Sequence, residues 1–172
     1  PDIPWHLICD VPDSVVDFEV HGDEIYLLTA RMAPRFRLVK TSLPSPDFAT
    51  GEEIVEAGEA VLQSVSAAKD ALYISRLNAG MREILRVDYD GNSELLSYPG
   101  GARSGFIVSC DNRVSGIMLE TSSWTNRSVT YIYDPATGSF TDSGLNPVGE
   151  YDSLPGYESV EVMVPSHDGV EV

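Results

Sequence analysis

Similar runs recur in this chain about every 46 residues, and that recurrence constrains the fold more than any other feature. Lys40 in Leu38-Val39-Lys40-Thr41-Ser42 and Arg86 in Ile84-Leu85-Arg86-Val87-Asp88 lie 46 positions apart. Val87-Asp88 and Tyr133-Asp134 are separated by 46 as well, and Tyr26 and Tyr73 by 47. The stretch Ala71–Ser97 shows what one repeat contains. Two β-prone runs, Ala71–Leu77 and Ile84–Tyr89, precede a turn at Asp90-Gly91 and a third run at Glu94–Ser97. Tyr73, Ile84 and Val87 suit a pleated, half-buried surface, and Asp-Gly favours a type I′ hairpin turn with positive φ.

The same pattern extends in both directions. Ser14–Val20 sets Val16, Phe18 and Val20 against Asp17 and Glu19, the period-2 signature of a strand with one buried face. After the turn His21-Gly22-Asp23, strands are expected at Glu24–Ala30 and Phe36–Thr41, a loop at Ser42–Gly51, and a charged edge strand at Glu53–Ala57. Gly51–Ser66 also permits a helix, since Ile54, Val55, Val61, Leu62 and Val65 line one helical face. Gly58 and the repeat register favour strand–turn–strand. Further on, strands are expected at Gly105–Cys110, Arg113–Thr121, Ser128–Asp134 and Ser139–Thr141, with turns at Asp111-Asn112 and Pro135–Gly138.

Repeats of roughly 40–50 residues with four strands each have the size of propeller blades. The expected fold class is therefore all-β, a partial β-propeller of about three four-stranded antiparallel blades. The blades are expected at 14–57, 60–98 and 104–145. Residues 1–12, with a strand at Trp5–Cys9, would supply the outer strand of a preceding blade. Each sheet is apolar on both faces and needs a neighbour to cover it. Closed propellers use about 4–8 blades, so three blades amount to roughly half a seven-bladed wheel.

Composition removes several function classes. The formal charge is −16, from 27 acidic and 11 basic residues, and the only lysines are Lys40 and Lys69. A nucleic-acid surface needs clustered cations, and the same acidity disfavours anionic lipid. No apolar run reaches bilayer-spanning length. Cys9 and Cys110 are far apart and fit no C-x-x-C pattern, so both are expected to be buried free thiols. The chain begins at Pro1 without a methionine, so it reads as an excised piece.

After Asn146-Pro147 the pattern changes: Tyr151–Gly156 reads as a linker, Tyr157–Val164 as a strand, and Ser166-His167-Asp168-Gly169 as a tight turn. The run Tyr157–Gly169 resembles the junction at which prolyl oligopeptidases pass from propeller to α/β-hydrolase domain. Asp23–Thr29 with Ala33-Pro34, Lys69–Ile74, and Ser123-Trp124 resemble blades of that family. The resemblance implies that 1–147 are propeller, ending with the last three of seven blades, and that 148–172 are linker and the start of the hydrolase domain. It also implies a parent serine peptidase whose propeller caps the active site and admits short, proline-containing peptides. The implied partners are that peptide substrate and the hydrolase domain of the same polypeptide. The family's serine, aspartate and histidine lie in hydrolase sequence past Val172, so none maps onto this chain.

The residues agree with a noncatalytic part. No serine sits in a G-x-S-x-G elbow. Ser166, His167 and Asp168 are consecutive, whereas a triad converges from separate elements, so they read as turn residues. His6, His21 and His167 have no metal-ligand spacing. Asp88-Tyr89-Asp90-Gly91-Asn92 places its glycine fourth, not sixth as a calcium loop needs, and reads as a hairpin turn. Asn126-Arg127-Ser128 fits a glycosylation acceptor. Trp5, Trp124 and the eight tyrosines are assigned to packing between blades rather than to a ligand face. No catalytic, cofactor-binding or metal-binding residue is assigned, and no cofactor is expected. Two other classes share the blade pattern. One is a propeller that binds a protein partner on its loops. The other is a sugar-binding or glycosidase propeller, which would need carboxylates such as Asp17, Glu19 and Asp88 paired across a pocket. The first and last blades are each expected to expose an apolar face, so self-association is expected.

Overall fold

The computed structural model describes residues 5, 7–150, 152, 156–158, 160 and 162–170. Among the described residues, twelve strands form three four-stranded antiparallel sheets, each a meander in sequence order. The first holds β1 (Val15–His21), β2 (Glu24–Thr29), β3 (Arg37–Ser42) and β4 (Glu52–Val55). The second holds β5 (Val61–Ala67), β6 (Ala71–Asn78), β7 (Met81–Asp88) and β8 (Ser93–Leu95). The third holds β9 (Ser104–Ser109), β10 (Ile117–Ser122), β11 (Val129–Asp134) and β12 (Ser139–Asp142).

The ambiguous stretch Gly51–Ser66 is strand–turn–strand. β4 pairs with β3 through Leu38↔Val55 and Lys40↔Glu52, and β5 opens the next sheet. Leu62 and Val65 point to one face of β5 because two-residue periodicity is broken by a bulge between Leu62 and Ser64.

Two turns differ from expectation. Positive φ at both central positions falls at Ala79 (+45°) and Gly80 (+82°), where Asn78 pairs with Met81. That is the type I′ hairpin. At Asp90-Gly91 only Gly91 has positive φ, at +92°, and its N–H donates to the Asp88 carbonyl. The Asp88 carboxylate accepts from the backbone N–H groups of Asp90 and Asn92, and this side-chain capping replaces the tight two-residue loop. Ala79 is exposed, and alanine pays a steric penalty in left-handed backbone that asparagine or glycine largely avoids. Ala79→Asn is therefore expected to raise stability by about 0.5–1 kcal/mol, read as a rise in urea midpoint at unchanged slope. An unchanged or lower midpoint would contradict the turn assignment.

The cores lie between sheets. Tyr26, Leu28 and Leu38 of the first sheet meet Leu62, Val65, Leu72, Ile74 and Val87 of the second. The opposite face of the second sheet, with Ala71, Tyr73 and Ile84, meets Ile117, Leu119 and Tyr133 of the third. Leucine, isoleucine and aromatic side chains buried this fully contribute about 1.5–3 kcal/mol each. Among the described residues, only the first sheet has a buried cluster that no other sheet completes. The outer face of the first sheet is partly roofed: Phe48, from the loop before β4, packs on Ile25 and Leu27 with Ile8. Both first and last sheets were expected to lie open, but only Val16 and Phe18 of β1 stay exposed here. On the third sheet Val108 and Ile132 are open.

The two ends depart from the expected strands. Trp5 and Leu7–Cys9 pair with no strand, and the chain instead enters β1 through a 3₁₀ turn, Val11–Asp13. Asp10 and Asp13 cap that turn reciprocally, which commits the preceding backbone to a turn rather than a ladder. In Tyr157–Val164 the described residues form no strand and are exposed. Ser159 and Glu161 lie outside the described residues, as do His6 and Tyr151. The turn at Ser166–Gly169 forms as expected, with Gly169 N–H on the Ser166 carbonyl at 3.0 Å and φ +81°.

Candidate functional site on the tethered rim

Antiparallel meanders put alternate loops at opposite ends of the sheets, giving two rims. One collects the turns after β1, β3, β5, β7, β9 and β11, and its many aspartates build turns. Asp47 accepts from Ala49 N–H and the Thr50 hydroxyl, Asp111 from Arg113, and Asp134 from Ala136 N–H and Thr137. These bonds hold the carboxyls of Asp47 and Asp88 below the usual range, through Thr50 and Asn92 first, and hold Asp111 at about 2, through Arg113. Much of the acidity is thus turn chemistry.

The sheets are joined at this rim by Asp70. Its Oδ1 accepts the Gly116 N–H of the third sheet at 2.7 Å. Its Oδ2 accepts the Tyr73 hydroxyl at 3.0 Å and Arg86 Nη2 at 3.1 Å, and Arg86 also reaches Glu94 at 3.2 Å. Burial raises the Tyr73 hydroxyl well above its ordinary value, and the Asp70 charge adds to it. The first sheet carries the counterpart: Tyr26 donates to Glu24 at 2.9 Å, and Lys40 bridges Glu24 at 3.2 Å and Glu52 at 3.1 Å. Tyr26 faces Lys40 across strands as Tyr73 faces Arg86. The third sheet places Met118, Ile132 and Thr141 at these ladder positions.

The opposite rim holds both ends of the blade chain. Arg31 pairs with Asp13 at 2.7 Å where the chain enters β1, and the Thr29 hydroxyl donates to the Asp13 carbonyl. Past β12, Arg127 Nε meets Asp152 Oδ2 at 3.3 Å, Arg127 N–H donates to the Asp152 carbonyl, and Asn146 Oδ1 accepts Thr130 N–H at 2.7 Å. Arg31, Arg35, Arg103 and Arg127 all stand on loops of this rim, and Arg37 and Arg82 at its strand ends.

Between the β6–β7 turn, the start of β9 and the β10–β11 loop, the rim opens into a cleft of about 510 Å³. It is lined by Ala79, Gly80, Met81, Arg103, Ser104, Ser122, Ser123 and Trp124. A smaller groove of about 280 Å³ continues from it past Ser122 and Ser123 toward Asn126, Arg127 and Asp152. Trp124 is 87% exposed and Trp5 93%, so neither is packed between sheets as the sequence suggested. The tyrosines divide differently: Tyr26, Tyr73 and Tyr133 are buried between sheets, while Tyr157 is exposed. Asn126 is exposed beside Trp124, its Nδ2 on the Ser123 hydroxyl at 3.2 Å.

The remaining sequence candidates are dispersed. Ser166 Oγ lies 3.3 Å from His167 Nδ1, but the Asp168 carboxylate accepts Val170 N–H and does not orient the imidazole. His21 stacks on Tyr89 at 3.7 Å between ring centroids. Asp17 Oδ2 accepts Val65 N–H at 3.0 Å, and Glu19 accepts from Ala67, so both carboxylates cap the open edge of β5. Burial first, and Asp17 second, raise Glu19. Among the described residues no three His, Cys, Asp or Glu converge as a metal site. Cys9 and Cys110 are free but half-buried rather than buried, since Cys9 precedes β1 and Cys110 follows β9. Burial pushes the Cys110 thiol up to about 11. Cys110 is expected to alkylate far more slowly than an unperturbed thiol at pH 8, because the thiolate is the nucleophile. Peptide mapping by mass spectrometry after iodoacetamide treatment checks this, and modification at the rate of a free cysteine would contradict it.

A sequence profile described as prolyl oligopeptidase, N-terminal beta-propeller domain, matches residues 2–142. The chain belongs to the prolyl oligopeptidase family. The three sheets are blades of that family's propeller. A solved prolyl endopeptidase superposes with a TM-score of 0.69 at 24% identity, covering 90% of this chain. Oligopeptidase B from Leishmania major gives 0.74 at 16%, and prolyl oligopeptidase B from Galerina marginata 0.68 at 20%, each again over 90%. This chain spans 23% of the length of each of those three chains. No curated protein sequence matches the chain.

Proposed function

We propose that this chain is a noncatalytic wall of a prolyl-oligopeptidase-like serine peptidase. It comprises the last three blades of the propeller, and 148–172 lead into the α/β-hydrolase domain. In that role it caps the active site and restricts substrates to short, proline-containing peptides. Acyl transfer is carried out by a serine and its histidine base in the hydrolase domain. The observation that carries the placement is the ladder that the third blade lacks. Tyr26–Lys40–Glu52 and Tyr73–Arg86–Glu94 line faces that meet a following blade, whereas the third blade has the uncharged Met118, Ile132 and Thr141 at those positions. Such a face suits the seam where a wheel ends. The Arg127–Asp152 anchor agrees with it, because it turns the chain back onto the rim where the next domain begins.

Reading the gene past Val172 tests the proposal: a hydrolase domain with a G-x-S-x-G elbow supports it, and a stop codon or an unrelated domain favours a protein-binding propeller instead. Freed from its neighbours, the third blade exposes Val108, Val114 and Ile132, so the 172-residue chain is expected to self-associate. Light scattering across concentrations checks this, and a monomer throughout would contradict it.

A further inference from the structure

We infer that the rim holding both ends of the blade chain is a docking face for the domain that continues the polypeptide past Asp152, with Met32 and Trp124 as its apolar anchors. The inference deepens the wall reading above and rests on it for the presence of that domain. Exposure divides the two rims. Met32 on the β2–β3 loop is 94% exposed and Trp124 on the β10–β11 loop 87%. Val11, where the chain enters β1, and Val148, after β12, are open on the same rim. On the turns of the aspartate-rich rim, among the described residues, the exposed large apolar side chains are Leu43 at 38% and Val114 at 58%. Methionine and tryptophan are enriched at the centres of protein interfaces, where they are the groups most often desolvated.

Both anchors are set in advance. Ala33, beside Met32, is buried, its N–H donates to the Ala30 carbonyl at 3.0 Å, and its carbonyl accepts Phe36 N–H at 2.8 Å. Met32 is held at φ +56°, a left-handed backbone that side chains adopt at a cost. Around Trp124, Ser123 Oγ accepts Thr125 N–H at 3.3 Å and Asn126 N–H at 3.0 Å. Side chains carried on fixed loops lose little conformational freedom when a partner covers them. The path of the chain selects that partner. Past β12 the backbone is tied to this rim, with Arg127 N–H donating to the Asp152 carbonyl at 2.8 Å and Arg127 Nε 3.3 Å from Asp152 Oδ2. A domain continuing from that tether is delivered to the side of the wheel that carries Met32 and Trp124. Its effective concentration there favours it over a separate protein or a second copy.

Hydroxyl-radical labelling of the full-length protein, read by mass spectrometry and normalised to each residue's reactivity in the denatured protein, tests the inference. Exposure on the blades alone ranks Met32 and Trp124 above Leu43. Docking is expected to invert that order, leaving both labelled at least about fivefold less than Leu43. Met32→Asp, an exchange that left-handed backbone tolerates, is expected to raise labelling of Trp124 severalfold, whereas Met32→Leu leaves it unchanged. A methionine that only shaped its own loop would not alter a residue two blades away. Labelling of Met32 and Trp124 above that of Leu43, or protection of Leu43 in their place, overturns the inference and leaves the wall reading standing. Protection that appears only as protein concentration rises assigns the rim to a second copy and also overturns it. Protection by a following domain that lacks a G-x-S-x-G elbow supports the docking rim while removing the peptidase reading.

Discussion

Gly116→Ala is expected to lower stability by about 3–5 kcal/mol, one of the largest effects of a single methyl group in this chain. Gly116 has φ +80°, and an added Cβ would lie 2.1 Å from the Tyr133 carbonyl oxygen and 3.0 Å from Pro135 Cδ. A backbone oxygen in a paired strand cannot move aside as a side chain can. The same residue donates its N–H to Asp70 across the second and third blades, so displacement also loosens that joint. Gly138→Ala is the control: φ is +65° but nothing lies within 4 Å, so only the backbone penalty of about 1–2 kcal/mol is expected. Urea unfolding of both variants decides the matter. Equal losses would mean that the close approach of Gly116 to β11 does not exist.

Asp70→Ala is expected to cost about 3–5 kcal/mol. The substitution leaves the Arg86 guanidinium, 17% exposed, with Glu94 as its remaining charged partner among the described residues, and orphans the Tyr73 hydroxyl and the Gly116 N–H. Breaking one side of a largely buried pair is worse than deleting the pair, because the remaining charge stays desolvated. Tyr73→Phe removes one hydrogen bond and is expected to cost about 1 kcal/mol. Glu94→Gln, at a carboxylate 57% exposed, is expected to change stability by about 0–1 kcal/mol. A loss for Asp70→Ala no larger than that for Glu94→Gln would show that the blades are not stapled at this point.

What the sequence revealed and what it withheld follow from how local each signal is. Period-2 alternation and the recurrence of Lys40 and Arg86 report backbone geometry shared by every blade, so the strands were legible, including β4 and β5 against a helical alternative. The partners of Lys40 and Arg86 were not, although acidic residues at Glu52 and Glu94 stand at matching positions in the repeats. The type I′ turn was misplaced because Asp-Gly is the stronger dipeptide signal than Ala-Gly, yet the Asp88 carboxylate was free to build a different turn. Trp124 was assigned to packing because tryptophan usually is. Its cleft draws on the turn at Ala79-Gly80, the start of β9 and the loop after β10, and no spacing in the chain links those three. The end segments were misread because alternation alone does not make a strand without a neighbour to pair with.

The proposed function has these blades screen what reaches a serine nucleophile elsewhere in the polypeptide. Its most direct test is cleavage by the purified full-length protein of one proline-containing sequence, presented as a short peptide and as a loop within a folded protein. Cleavage of the short peptide with the folded protein left intact is the predicted result. Equal cleavage of both, or of neither, would contradict it.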